Sequence, residues 1–279
     1  MISDAWGKHA PFLATMPGST VFYSGQAINF DRSPNPHDAM SSTPGEPALV
    51  PGVTLRRAAL VAASSLLVMS VLSPVAFFAI YPRLIQPADI AQSIRNLSSH
   101  PNLFLALVLC YQLTFIADIV AAWALYIFLK PANSALSLLA AWFRLAYSVM
   151  ALSALLKLVS AFRLAKEGGW GTGAGSPLIA QVQLLVAEFH YGWGFSLVVF
   201  GVHLLLLGYV VYRSGYVPKL LGILLVINGA GYLVDSLQPF TFSVRYLFVA
   251  FFGELIFMVW LFTQGRKLGI VEGIGPGLR

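Results

Sequence analysis

The stretch HYGWGFSLVVFGVHLLLLGYVVY, residues 190–212, decides the fold. It is apolar over most of its length, and a helix of about 20 apolar residues crosses the hydrocarbon core of a bilayer. His203 interrupts the run of leucines and valines near its middle. An ionisable side chain is costly in hydrocarbon, so a histidine at this depth is expected to face the interior of a helix bundle.

The whole chain has the composition of a membrane protein. Of its 279 residues, 58% are hydrophobic and 10% are charged, whereas soluble domains carry about 25% charged residues. Apolar runs occur at about 58–80, 102–129, 135–162, 190–212, 219–237 and 246–264, and a helix at 177–189 is a candidate extension of the fourth run. These runs predict an all-α, polytopic membrane protein with six transmembrane helices in one bundle.

Polar segments flank the six-span domain, which we place at residues 54–265. Residues 1–53 are rich in Pro, Ser, Gly and Asn, and they predict a disordered tail. The alternative is that translation begins at Met40. Residues 266–279 are interpreted as a short cytoplasmic tail.

The glycine-rich stretch 168–176 follows no strand and precedes no Lys-Ser/Thr pair, so we expect a flexible loop rather than a phosphate-binding one.

The net charge of +6 does not indicate a nucleic-acid partner. Basic residues stand singly at the ends of the apolar runs, as membrane anchors do, and form no clustered basic face. With both termini in the cytoplasm, seven flanking Lys and Arg residues lie inside and five lie outside. We therefore expect an inner-membrane protein with cytoplasmic termini, surrounded by the lipid bilayer. Its oligomeric state and any partner subunit stay open.

Five of the six spans carry a polar residue near mid-depth. Helices rise about 1.5 Å per residue, which places these positions ~14–18 Å from the inner end of each span. That depth is near the middle of a ~30 Å hydrocarbon core. The residues are Asp118, Arg144, His203, Asn228 and Glu254. Their common depth predicts one polar layer across the bundle.

Within this layer the sequence predicts one ion pair. Asp118 and Arg144 lie on successive antiparallel spans at matching depth, so they are the expected partners. Glu254 then remains as a second acid. It either hydrogen-bonds to His203 or carries a proton, because hydrocarbon disfavours the charged carboxylate.

A polar stripe extends from the layer toward the outer surface. Glu188 and His190 lie near the outer interface, where we expect them to be exposed. Asp235 lies seven positions after Asn228, and residues seven apart share a helix face. The interior is therefore expected to become more polar toward the outside.

The fourth span also carries a glycine stripe, with Gly194, Gly201 and Gly208 at every seventh position. Small residues let another helix approach closely, and His203 lies off this stripe. The stripe is a candidate contact surface for a partner subunit. Trp193, like the other tryptophans of the spans, is expected to face lipid or to pack rather than to line a substrate site.

The sequence contains no recognisable catalytic or cofactor motif. His190 and His203 lie on one span, and no other span supplies the histidine that a bis-histidine haem requires from a second helix. There is no HExxH motif. Cys110 is the only cysteine, so a cluster of thiolate ligands is impossible. We expect no cofactor and no metal, and nothing supports an enzymatic activity.

Several stretches resemble a known family. The segment FGVHLLLLGYVVYRSGYVPKLLGILLVINGAGYLVDSL, residues 200–237, resembles the central part of a bacterial multi-pass membrane family known as domain of unknown function 4386. ADIVAAWALYIFLKPAN at 117–133 and FFGELIFMVWLFTQG at 251–265 are similar to the flanking segments. The resemblance covers about 55–268. It implies a six-span inner-membrane protein, and it implies no reaction and no role for any residue.

Three functions remain open at this stage. The polar layer favours a small-solute or proton-linked permease. The glycine stripe favours an accessory or scaffold subunit that packs against partner helices. An enzyme acting on lipid is least favoured and requires a cleft beside Glu188 and His190. A layer that only fixes helix packing should be sealed and fully paired, whereas a transport site should adjoin a reachable cavity.

Overall fold

A computed structural model describes residues 54–167, 176–236 and 247–270. The helices are α1 (Leu55–Pro74), α2 (Tyr81–Leu84), α3 (Ile90–Ser99), α4 (Pro101–Leu129), α5 (Ser134–Glu167), α6 (Pro177–Arg213), α7 (Lys219–Ser236) and α8 (Leu247–Thr263). A π-helical segment, Val75–Ile80, joins α1 to α2, and a 3-10 helix, Gly265–Ile270, follows α8. The predicted tail at 1–53, residues 168–175 of the glycine-rich stretch and residues 271–279 lie outside the described residues.

Over the described residues the chain is helical, and the expected polytopic all-α bundle is confirmed. Five helices are long and apolar enough to cross a membrane, and these are Leu55–Leu84, Pro101–Leu129, Ser134–Glu167, Pro177–Arg213 and Lys219–Ser236. A shorter apolar helix, α8, follows them. Helices suit this composition because a hydrocarbon environment requires each backbone N–H and C=O to be satisfied within its own segment.

The fourth span is longer than the apolar run alone indicates. α6 is continuous over 37 residues, so the candidate helix at 177–189 and the span at 190–212 are one helix. Ser176 caps it by accepting a hydrogen bond from the Leu178 backbone N–H at 3.3 Å. Pro177 occupies the first turn, where a missing N–H costs nothing. The end of the bundle that carries His190 is called the His190 end, and the opposite end, with Lys130, the Lys130 end.

An additional short helix, α3, was not predicted. Asp89 caps it by accepting from the Gln92 backbone N–H at 2.8 Å, and the apolar side chains of Ile94 and Leu97 are buried. Ser98 donates a hydrogen bond to the Ala165 carbonyl at 2.7 Å, which ties α3 to α5. Ten residues are too few for a span, so a search for apolar runs overlooks such a helix.

The glycine stripe of α6 is an internal seam with α7. A methyl group built on Gly201 would lie 2.9 Å from the Gly229 carbonyl oxygen, and one on Gly208 would lie 2.7 Å from that of Gly222. A methyl group on Gly194 would meet nothing within 4 Å. The close contact with α7 at Gly201 and Gly208 therefore does not extend to Gly194.

The first residues of the segment predicted as a tail, 266–279, are packed against the bundle. The 3-10 helix Gly265–Ile270 packs against α1. A methyl group on Gly265 would lie 3.1 Å from the Ala59 Cβ, so the two backbones are close. The beginning of the segment at 266–279 is therefore part of the bundle at the Lys130 end.

The turn between α6 and α7 is attached to the end of α4. Gly215 has a φ of 77°, in the left-handed region that glycine adopts most readily. Tyr216 donates a hydrogen bond from its hydroxyl to the Phe128 carbonyl oxygen at 2.7 Å. Phe128 belongs to the last turn of α4, whose carbonyls lack helical partners. Burial raises the pKa of Tyr216, so its phenol remains protonated and able to donate.

We expect Tyr216→Phe to lower thermal stability in detergent. The change removes one hydrogen bond to a terminal helix carbonyl, which contributes about 1 kcal/mol. The measurement is the unfolding midpoint of purified protein. The matched control is Tyr209→Phe, since the Tyr209 side chain is exposed on the bundle surface. Equal midpoints for the two variants would contradict a stabilising role for the turn contact.

Candidate functional site

The α4–α5 hairpin brings an acid and a base together inside the bundle. Asn133 lies in its turn and caps α5 by accepting from the Leu136 backbone N–H at 2.9 Å. Arg144 Nε donates to Asp118 Oδ1 at 2.8 Å, and neither side chain is more than 1% exposed. The predicted ion pair is therefore present, and its burial makes the charge-assisted hydrogen bond strong.

Arg144 also contacts two other members of the layer, His203 and Glu254. Its Nη1 lies 3.0 Å from His203 Nε2 and 3.3 Å from Glu254 Oε1. Its Nη2 donates toward the Met69 sulfur at 3.7 Å. The Phe200 ring covers the guanidinium, with Cζ 5.4 Å from the ring centroid. Side chains from α1, α4, α5, α6 and α8 thus converge on one cation.

The contacts of His203 assign its tautomer. Nδ1 lies 2.8 Å from the Ala140 carbonyl oxygen, which can only accept, so Nδ1 carries the hydrogen. Nε2 faces the Arg144 guanidinium, which can only donate, so Nε2 accepts. His203 is therefore neutral in this arrangement. The alternative in which it hydrogen-bonds to Glu254 is not found, because Arg144 lies between the two side chains.

Asn228 lies beside the layer rather than in its hydrogen-bond network. Its side chain is buried, and Nδ2 has no hydrogen-bond partner among the described residues. A methyl group built on Gly253 would overlap the Asn228 amide. Asn228 therefore occupies a close contact between α7 and α8, directly next to the helical position that precedes Glu254.

The residues predicted near the outer interface form separate contacts at the His190 end. Glu188 is partly exposed and pairs with Lys157 at 2.8 Å. His190 is exposed. Its Nε2 lies 3.0 Å from the Tyr81 hydroxyl, and its Nδ1 lies 2.8 Å from the Val186 carbonyl. These contacts of Glu188 and His190 are with residues outside the charged layer.

A cavity of about 690 Å³ adjoins the layer. Asp118 and Glu254 line it at the layer, and Asp235 lines it from α7. Glu254 is 17% exposed, in contrast to the fully buried Arg144. Leu66, Leu255 and Met258 lie slightly toward the Lys130 end of the layer, and most of the other lining residues lie between the layer and the His190 end. The cavity therefore extends from mid-bundle toward that end, and Glu254 is the ionisable member of the layer that is most accessible from it.

Aromatic side chains form the outward part of the cavity wall. Phe77 and Phe78 line it from the π-helical segment, Phe252 lines it from α8, and all three are exposed on the bundle surface. π-helical segments occur often at functional sites. Trp193 also lines the cavity, and its ring packs against those of Tyr111, Phe115 and Phe189.

Sequence reasoning missed this aromatic wall, and Met69 with it. Each of these residues is apolar and lies in an apolar run, where such residues are expected in any span. No polar signal marks them. Phe200 could have been predicted to lie near the layer, because it is three positions before His203 and shares its helix face.

In the described part of the chain, no three His, Cys, Asp or Glu side chains form a group that would hold a metal ion. The arrangement is instead an arginine neutralised by carboxylates at the inner end of a mostly apolar cavity. Fold and site together define the class, which is a polytopic helical membrane protein with a buried charged layer.

The chain belongs to the family described as Domain of unknown function (DUF4386), whose model matches residues 61–265. This confirms the resemblance inferred from the sequence. A protein of Archaeoglobus fulgidus, described as an uncharacterized protein, is 49% identical over 73 residues, which cover 26% of this chain and 45% of that relative. The match thus spans less than half the length of the relative. No solved structure matches this chain.

Proposed function

We propose that the protein is a small-solute permease whose solute binds in the cavity beside the charged layer. The observation that carries the proposal is that Asp118 and Glu254 both line this cavity at mid-bundle depth. Ionisable residues inside a membrane bundle are costly and mark solute or ion pathways. The volume of about 690 Å³ is typical of sites that enclose small molecules.

A layer that only fixes helix packing explains less of the structure. Such a layer should be sealed and fully paired, because an unsatisfied polar atom in hydrocarbon is costly. Here Glu254 is accessible from the cavity, and Asp118 Oδ2 and the Tyr111 hydroxyl are buried with no hydrogen-bond partner among the described residues. The layer is therefore neither sealed nor fully paired among the described residues, and this favours a binding role over a packing role.

The structure gives less support to the two other hypotheses, a scaffold subunit and an enzyme acting on lipid. The scaffold hypothesis rested on the glycine stripe of α6, and α7 of the same chain packs against Gly201 and Gly208. The hypothesis of an enzyme acting on lipid required a cleft beside Glu188 and His190. Neither residue lines the cavity, and both make local contacts at the His190 end.

A cysteine placed in the cavity tests the permease proposal. We expect Thr114→Cys, in a chain whose single cysteine Cys110 is replaced by Ser, to react with a charged methanethiosulfonate reagent from both faces of the membrane. Thr114 lines the cavity, and a permease must expose its solute site to each side in turn. The readout is the mass shift in right-side-out and inside-out vesicles.

Leu204→Cys in the same background is the control for this labelling. Leu204 is fully buried on α6 and does not line the cavity, so it should stay unlabelled from either face. Labelling of Thr114→Cys from one face only, under all conditions, would contradict transport and would leave a one-sided binding site.

A further inference from the structure

The cavity wall carries acids and no bases. Asp118, Asp235 and Glu254 line it, and no Lys, Arg or His is found among its lining residues in the described segments. Among the described residues, Arg144 contacts both Asp118 and Glu254 and is fully buried behind the wall. A concave, low-dielectric wall with one sign of charge concentrates solutes of the opposite sign. This wall therefore favours positive solutes over negative ones.

The same wall is rich in aromatic rings. Its aromatic members are Phe77, Phe78, Tyr147, Trp193, Phe200, Tyr232 and Phe252. The negative face of an aromatic ring attracts an organic cation, and the attraction increases when water is excluded. Phe200 already holds the Arg144 guanidinium in this way, at 5.4 Å. The remaining rings offer the same contact, together with apolar surface for a hydrocarbon body.

The charge balance of the layer points the same way. Two carboxylates, those of Asp118 and Glu254, share the one guanidinium of Arg144. A bound cation would balance the second carboxylate, and an uncompensated charge is costly inside a membrane bundle. The titratable and charged groups around Glu254 are Asp118 from α4, Arg144 and Tyr147 from α5, His203 from α6, and Tyr232 and Asp235 from α7. On α1 the wall offers Met69, serines and apolar side chains.

We infer that the solute is an amphipathic organic cation, such as an alkylammonium ion. Its ammonium group lies beside the Glu254 carboxylate, which is the member of the charged layer that is accessible from the cavity. Its hydrocarbon body lies against the aromatic wall. The inference rests on the proposed function and names its solute class.

Glu254 is the carboxylate that pairs with the solute, because its contact with Arg144 is the longer one. The Glu254 Oε1 to Arg144 Nη1 distance is 3.3 Å, whereas Asp118 Oδ1 lies 2.8 Å from Arg144 Nε. Glu254 is also reachable from the cavity. Asp118 therefore remains the counter-ion of Arg144, and Glu254 pairs with the organic cation.

Three probes of matched chain length test the solute class. Radiolabelled decylammonium, decanol and decanoate are bound to the full chain in phosphatidylcholine nanodiscs, with empty nanodiscs as background. We expect decylammonium to bind about tenfold or more tightly than decanol, and decanoate to bind most weakly.

Glu254→Gln should remove the preference for decylammonium over decanol. The matched control is Glu188→Gln, which changes the same chemical group at the His190 end and should bind as wild type does. Equal binding of decylammonium and decanol by wild type would overturn the cation assignment and leave the permease proposal standing. This comparison holds even if Glu254→Gln fails to fold.

Failure of the proposed function has a different signature. If none of the three probes binds above the empty-nanodisc background and Thr114→Cys is unlabelled from both faces, no accessible cavity exists. Both the permease proposal and the cation assignment would then be wrong. Retention of the decylammonium preference in Glu254→Gln would overturn only the role of Glu254 as the carboxylate that pairs with the solute.

Discussion

Arg144→Met is expected to cause the largest loss of folded protein of any single change in the bundle. The substitution leaves Asp118 and Glu254 buried near each other without a cation, and it removes the donor that His203 Nε2 accepts from. Removal of one partner from a buried ion pair costs about 3–5 kcal/mol, because the remaining charge is uncompensated. The measurement is the yield of monodisperse protein after size-exclusion chromatography, with the unfolding midpoint of whatever is recovered.

Arg163→Met is the matched control. Arg163 is on the same helix, but its side chain is 71% exposed and pairs only with Glu167. Exposed pairs contribute about 0–1 kcal/mol, so little change is expected. Adding Asp118→Asn and Glu254→Gln to Arg144→Met should recover part of the lost stability, because no charge then remains to be compensated. A stable single variant would show that Arg144 does not balance the charge of the layer.

Alanine substitutions in the glycine stripe should have opposite effects at two positions of one helix. A Cβ on Gly208 would lie 2.7 Å from the Gly222 carbonyl oxygen and 2.8 Å from the Val226 backbone nitrogen. Backbone atoms cannot rotate away, so α6 and α7 must move apart. Overpacking of this kind costs about 1–3 kcal/mol. We therefore expect Gly208→Ala to lower the unfolding midpoint and the folded yield.

Gly194→Ala is the comparison. A Cβ at Gly194 meets nothing within 4 Å, so the added methyl group causes no clash. In a helix interior alanine is intrinsically favoured over glycine by about 1 kcal/mol. The midpoint of this variant should be unchanged or higher than that of wild type. If both alanine variants lowered stability equally, the stripe would be packed along its whole length, contrary to the observed seam.

The parts of the site that were predictable from sequence depended on position along a helix. Asp118 and Arg144 lie on two antiparallel spans joined by a short turn, so counting residues from that turn put them at one level. The ion pair followed from charge and depth alone. His203 and Glu254 were placed at the same level by the same count, but their partners were not. Both contact Arg144, because a guanidinium offers several donors in a fixed fork.

The sequence by itself determined that the chain is a bundle of membrane-spanning helices and that polar groups share one depth. Both results follow from local rules, since each span must satisfy its own backbone and rises by a constant amount per residue. Only the tertiary structure decided what lies around each helix. The contact of Gly201 and Gly208 with α7, the position of Arg144 between His203 and Glu254, and the aromatic wall of the cavity depend on how helices are arranged about each other. That arrangement is set by packing between distant segments, which no local pattern encodes.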